Sequence, residues 1–172
     1  FGIAVGMGHV TAGAVVGAVL AAGLIGWRRR AEQPVPQLEA AMAFTLAAIA
    51  AWCLLAGPPS GFAASGAGFA GLSLGAAISL ARGRPWTADF ARREYAGTEH
   101  DPLFVRINRA LSALWAVLFL WLAAANALHL PAWASLVPVA GGIVASVLTP
   151  RRWVQAALQA AIQRVRLQQA GE

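Results

Sequence analysis

Charge is confined to a few places in this chain. All thirteen basic residues are arginine, and none of them, nor any of the seven acidic residues, interrupts five long apolar stretches. The stretches cover residues 2–27, 40–56, 61–81, 111–130 and 132–148. A helix rises about 1.5 Å per residue and the hydrocarbon layer of a bilayer is about 30 Å thick, so about 20 apolar residues cross it. The second and fifth stretches are short, and Pro138 in the fifth predicts a kink. Backbone amides cannot bond to water inside hydrocarbon, so these segments must be helical. The expected fold is all-α, a polytopic transmembrane helix bundle of about five spans.

Composition supports the same class. Charged residues make up 12% and apolar residues 59% of the chain, whereas an average soluble domain is roughly 25% charged. The net charge of +6 would suit nucleic acid, but arginines that flank apolar spans are the footprint of anionic lipid headgroups, and no nucleic-acid partner is expected. The lone Cys53 lies within a span and reads as a small buried hydrophobe. The first stretch reads as a span and not a cleaved signal peptide, because Arg28, Arg29 and Arg30 follow its apolar core where a signal's basic residues would precede it.

The arginines fall after the first span (Arg28, Arg29, Arg30), between the third and fourth (Arg82, Arg84, Arg92, Arg93, Arg106, Arg109) and after the fifth (Arg151, Arg152, Arg164, Arg166). With five spans these connections share one side of the bilayer, and the acidic residues lie there too. The positive-inside rule makes that side the cytoplasm, with the N-terminus out and the C-terminus in. One span more or fewer would break the segregation. The other two connections, Gly57-Pro58-Pro59-Ser60 and the turn at Pro131, are uncharged and short enough to make antiparallel hairpins.

The chain therefore divides into a transmembrane bundle, residues 1–148, with a cytoplasmic loop over 82–110, and a cytoplasmic amphipathic helix and tail, residues 149–172. Thr149-Pro150 reads as the N-cap and first residue of that helix. Its apolar stripe includes Trp153, Val154, Leu158 and Ile162, and the polar face includes Arg164 and Arg166. Such a helix is expected to lie in the interfacial plane with Trp153 at headgroup depth, or to dock on a partner subunit. Arg106, Arg109, Arg151 and Arg152 belong at headgroup level too. In the loop, Thr87 can cap a short helix over residues 88–96, Gly97 can stop it, and Asp101-Pro102 can start a helix running into the fourth span.

Glycines at 13 and 17, and at 71 and 75, each share a helix face, which lets backbones approach closely. Packing within the bundle is the expected use, ahead of dimerisation.

The run Arg84-Pro85-Trp86-Thr87, Phe90-Ala91-Arg92-Arg93-Glu94, Asp101-Pro102-Leu103-Phe104, Asn108 and Trp115 resembles a segment of a group of bacterial multi-span inner-membrane proteins of unassigned activity. The likeness covers residues 84–115. Trp86 stands where that group has Phe, and no proline follows soon after Glu94. The resemblance implies a bacterial cytoplasmic (inner) membrane protein and no particular chemistry.

No span contains Asp, Glu, Lys or Arg, which argues against a carboxylate proton relay or a voltage sensor. His9 and His129 are the candidate cofactor ligands, for a haem or pigment on the outer side. Glu94, Glu99, His100 and Asp101 cluster in the loop, but Asp101 already has a capping role and no metal is expected there. There is no phosphate loop, Cys-x-x-Cys pair or serine nucleophile elbow.

Three functions follow as expectations. The first is a non-enzymatic membrane subunit or scaffold that packs against other membrane chains or its own copies. The second is a small neutral-solute carrier or channel lined by Thr11, Thr45, Ser65, Ser73 and Asn126. The third is an enzyme acting on lipid, or a haem- or pigment-binding protein using His9 or His129.

Overall fold

The computed structural model describes residues 9–94, 97 and 100–170. Six helices occupy them: α1 (Val10–Arg30), α2 (Gln37–Ala56), α3 (Gly61–Ala81), α4 (Thr87–Glu94), α5 (Pro102–Ala127) and α6 (Trp133–Ala170). All except α4 are long and apolar enough to cross a membrane. The early part of the first expected span, residues 2–8, lies outside the described residues.

Local chemistry sets the boundaries. Three arginines close the last turn of α1, where the helix dipole favours cations. Gly57, at φ 85°, ends α2 ahead of the two prolines. Ser60 caps α3 by accepting a 3.2 Å bond from the Ala63 amide. Asp101 caps α5, its Oδ1 accepting from the amides of Leu103 (2.7 Å) and Phe104 (3.3 Å), with Pro102 in the first turn.

Two expectations are corrected. Thr87 does not cap α4: it is the first residue of that helix, and its hydroxyl turns to α5 instead. The break expected at Thr149-Pro150 is absent, and α6 runs unbroken for 38 residues with Pro138 and Pro150 inside it. The proline φ of about −65° suits a helix interior as well as a first turn, so the dipeptide alone does not distinguish them.

The long helices pack in the order α1–α2–α3–α5–α6, with α3 against α5 the most extensive pairing and α4 lying on α5. Small residues make the contacts. A Cβ on Gly71 would overlap the side chain of Thr45, and one on Gly75 would overlap Ala41, so both glycines are used where α3 meets α2. A Cβ on Gly17 would come within 3.2 Å of Leu46. Both small-residue pairs thus serve packing inside the bundle. The core at one end joins Val10, Ala14, Ile49, Ala50, Cys53 and Ala64.

The size distribution is that of a membrane bundle. The largest side chains buried completely are Ser79 and Ser112, whereas Phe44 is 78% exposed and Leu55 88% exposed. Large apolar groups face outward because lipid solvates them as well as a protein core would.

Candidate functional site

Three sets of contacts bring the arginine-bearing connections together at one end of the bundle. Arg28 reaches from the end of α1 to Glu39 at the start of α2, with Nε to Oε2 at 2.9 Å and Nη2 donating to Oε1 at 3.0 Å. Asp89 of α4 accepts a 3.0 Å bond from the Gln37 amide. Arg106 on α5 places its guanidinium carbon 5.2 Å from the ring centroid of Trp153 on α6.

The Asp89 contact answers a local need. Pro36 precedes α2 and offers no side-chain cap, so the helix's first amide is satisfied by a carboxylate 52 residues away. Gln37 Nε2 also donates to the Arg84 carbonyl at 2.9 Å, and Arg92 lies 3.4 Å from the other Asp89 oxygen.

Beneath this surface lies a polar knot. The Thr87 hydroxyl donates to the Asn108 carbonyl at 2.9 Å and lies 3.0 Å from Ser112 Oγ, which accepts from the Thr87 amide at 3.3 Å. Ser79 Oγ accepts from the Trp86 amide at 3.3 Å and donates to the Ala76 carbonyl at 2.7 Å. Asn108 Nδ2 donates to the Phe104 carbonyl at 2.9 Å. Ser79, Asn108 and Ser112 are all buried, so the knot fixes the start of α4 on α3 and α5. These residues hold structure, and their satisfied bonding leaves them no evident substrate role.

Of the candidate interface residues, Arg106, Arg109, Arg151 and Arg152 are exposed and Trp153 is half-buried. Val154, Leu158 and Ile162 recur every four residues on α6 and are 51%, 60% and 45% exposed. Arg164 and Arg166 fall within α6, but their side chains lie outside the described residues. α6 is the least covered long helix, with 11% of its apolar stretch buried against 22% in each of the other four.

At the opposite end, α3, α5 and α6 flank an open cavity of about 820 Å³. Phe62, Phe69, Trp115 and Phe119 line it, with Ser65, Asn126 and His129 among its polar residues. His129 sits in the turn after α5 at φ 51°, and its ring meets Phe62 edge-on at 4.7 Å between centroids. His9 precedes α1, whose main neighbour is α2. The two candidate ligands therefore stand on helices that do not pack extensively on each other. Of the residues expected to line a neutral path, Ser65 and Asn126 meet in this cavity. Thr45 meets Ser65 in a separate, smaller pocket between α2 and α3 and donates to the Ala41 carbonyl at 2.8 Å, while Ser73 donates to the Ala116 carbonyl at 2.9 Å.

In the acidic cluster, Asp101 is committed to capping α5, and Glu99 lies outside the described residues. Among the described residues no group of three or more His, Cys, Asp or Glu side chains could hold a metal.

The Arg28–Glu39 pair, the Asp89 cap and the polar knot were not expected from sequence. The one local signal is that a helix opening after Pro34-Val35-Pro36 has no side-chain cap of its own, which leaves its first amides to water or a distant group without saying which. Compared with protein-family models, curated proteins and solved structures, the chain finds no match.

Proposed function

We propose that this chain is a non-enzymatic integral membrane subunit of the bacterial cytoplasmic membrane, joined to a partner protein through the cytoplasmic extension of α6. The observation that carries this reading is the unbroken length of that helix. Trp133 and Trp153 are 20 residues apart in one helix, about 30 Å, which matches the hydrocarbon thickness and puts an indole at each interface. Continuing upright, Leu158 stands about 7 Å past Trp153 and Ile162 about 13 Å past it. Headgroups extend only about 5–7 Å beyond the hydrocarbon on each side. Of the exposed stripe, Val154 then lies among the headgroups and Leu158 at their outer edge, while Ile162 stands in water unless another protein covers it.

The arginines mark the cytoplasmic side by the positive-inside rule, and the resemblance of residues 84–115 to bacterial inner-membrane proteins agrees with that membrane. Arg106, Arg109, Arg151 and Arg152 serve anionic headgroups around the docking helix.

Purification from native membranes in mild detergent tests the reading. A second protein in stoichiometric amount, released by Leu158→Gln with Ile162→Gln, is the expected result. A chain that purifies alone, or a partner indifferent to both substitutions, contradicts it.

The aromatic cavity favours a second reading, a binding protein for a small neutral solute, haem or pigment. Its volume falls within the range of ligand sites, and Ser65, Asn126 and His129 supply a few polar groups. A Soret band in the purified protein, lost in His129→Ala, would favour haem.

A further inference from the structure

We propose that the furrow between α2 and α3 holds one acyl chain of an anionic phospholipid, with the lipid phosphate on Arg82. The furrow has about 660 Å³ of space and is lined from Gln37 and Arg82 at one end to Trp52 at the other.

Its shape follows from the sequence. In a helix, residues four apart form a continuous ridge. Ala41, Thr45 and Ile49 of α2 and Ala67, Gly71 and Gly75 of α3 form two such rows, and both line the furrow. Gly71 fits against Thr45 and Gly75 against Ala41 with no room for a Cβ, so the two backbones come close along this floor. The next rows outward carry bulk. Phe44 and Trp52 stand on the α2 side and Leu74 and Ile78 on the α3 side, each at least 41% exposed. Tall walls over a floor of small residues leave a channel open to the bilayer.

The length fits one leaflet. Residues 37 to 52 of α2 cover about 22 Å along the axis, and half the hydrocarbon layer is about 15 Å. The channel can therefore take a chain through its leaflet with the first polar atoms at the level of Arg82.

Charge selects the headgroup. The row Leu74, Ile78, Arg82 ends in the guanidinium, at the arginine-bearing end of the bundle. The two nearby acids already have partners, Glu39 with Arg28 and Asp89 with Arg92. Among the described residues Arg82 and Arg84 form no ion pair, and both are exposed. The mouth carries excess positive charge, which attracts a phosphodiester bearing net negative charge and gives a zwitterionic headgroup less advantage.

The test uses the full chain in detergent, with phosphatidylglycerol and phosphatidylcholine of matched acyl chains offered in competition and bound lipid read by native mass spectrometry. The wild-type chain is expected to retain one lipid and to favour phosphatidylglycerol. Arg82→Gln should reduce that preference about fivefold, the equivalent of one arginine near a lipid surface. Ala48→Phe, from the exposed α2 wall, should expel either lipid, and Leu74→Trp should do the same from the α3 wall. Val19→Phe, on the exposed face of α1, should leave binding unchanged. The proposal is overturned by a wild-type chain that retains no lipid, by a fully folded filling variant that binds as the wild type does, or by an unchanged preference in Arg82→Gln.

Discussion

The indole Nε1 of Trp121 donates a 2.7 Å hydrogen bond to the carbonyl of Ala134, the group that Pro138, four residues further along α6, cannot serve because it has no amide hydrogen. A side chain on α5 thus completes the backbone of α6 where the helix's own ladder is interrupted. Trp121→Phe should destabilise the protein by about 0.5–2 kcal/mol, since the carbonyl of buried Ala134 is left without a partner. In a Pro138→Ala background the restored amide takes that carbonyl, and the same substitution should lose most of its effect. Unfolding in mixed micelles checks this cycle; equal losses in both backgrounds would deny the link.

Asp89 gives a second test, because its carboxylate closes α2 from a distant helix. Asp89→Ala should cost about 0.5–2 kcal/mol, and Asp89→Asn less, since the amide oxygen still accepts. Hydrogen exchange at Gln37 should accelerate in Asp89→Ala while exchange in the middle of α5 holds steady. Uniform acceleration would mean that Asp89 supports the whole bundle and not this helix end.

Two glycines should respond in opposite ways to the same substitution. Gly71→Ala drives a methyl into Thr45 and should lower stability by about 1–3 kcal/mol. Gly26 has open space around the position of its missing Cβ, so Gly26→Ala should be neutral or stabilising by up to about 1 kcal/mol. Thermal melting in one detergent compares them, and equal effects would contradict the packing described for α2 and α3.

Orientation across the membrane is tested by single cysteines at positions 30 and 60 in a Cys53→Ser background. An impermeant thiol reagent applied to intact cells should label position 60 and spare position 30. Labelling at position 30 alone reverses the topology.

The helices were legible in sequence because hydrocarbon imposes one simple demand, about twenty uncharged residues in a row. The third span, Gly61–Ala81, was located to the residue, and Asp101-Pro102 announced the start of α5. The glycine faces on α1 and α3 were read as internal packing, which Leu46, Thr45 and Ala41 bear out. What escaped depends on distant pairing. Nothing local to Gln37 points to Asp89, and nothing local to Thr87 points to Ser112. Thr149-Pro150 misled because a proline that opens one helix is also tolerated inside another. His129 could be singled out by its type, but the aromatic walls around it come from two helices, α3 and α5, and no single segment reveals them.

The central claim concerns the exposed stripe on α6, and photocrosslinking in native membranes tests it most directly. A photoreactive amino acid at Leu158 should give one discrete protein adduct, while the same probe at Leu120, exposed on α5, should react with lipid alone. A probe at Leu158 that yields only lipid adducts would contradict the account and lay the end of α6 on the membrane surface.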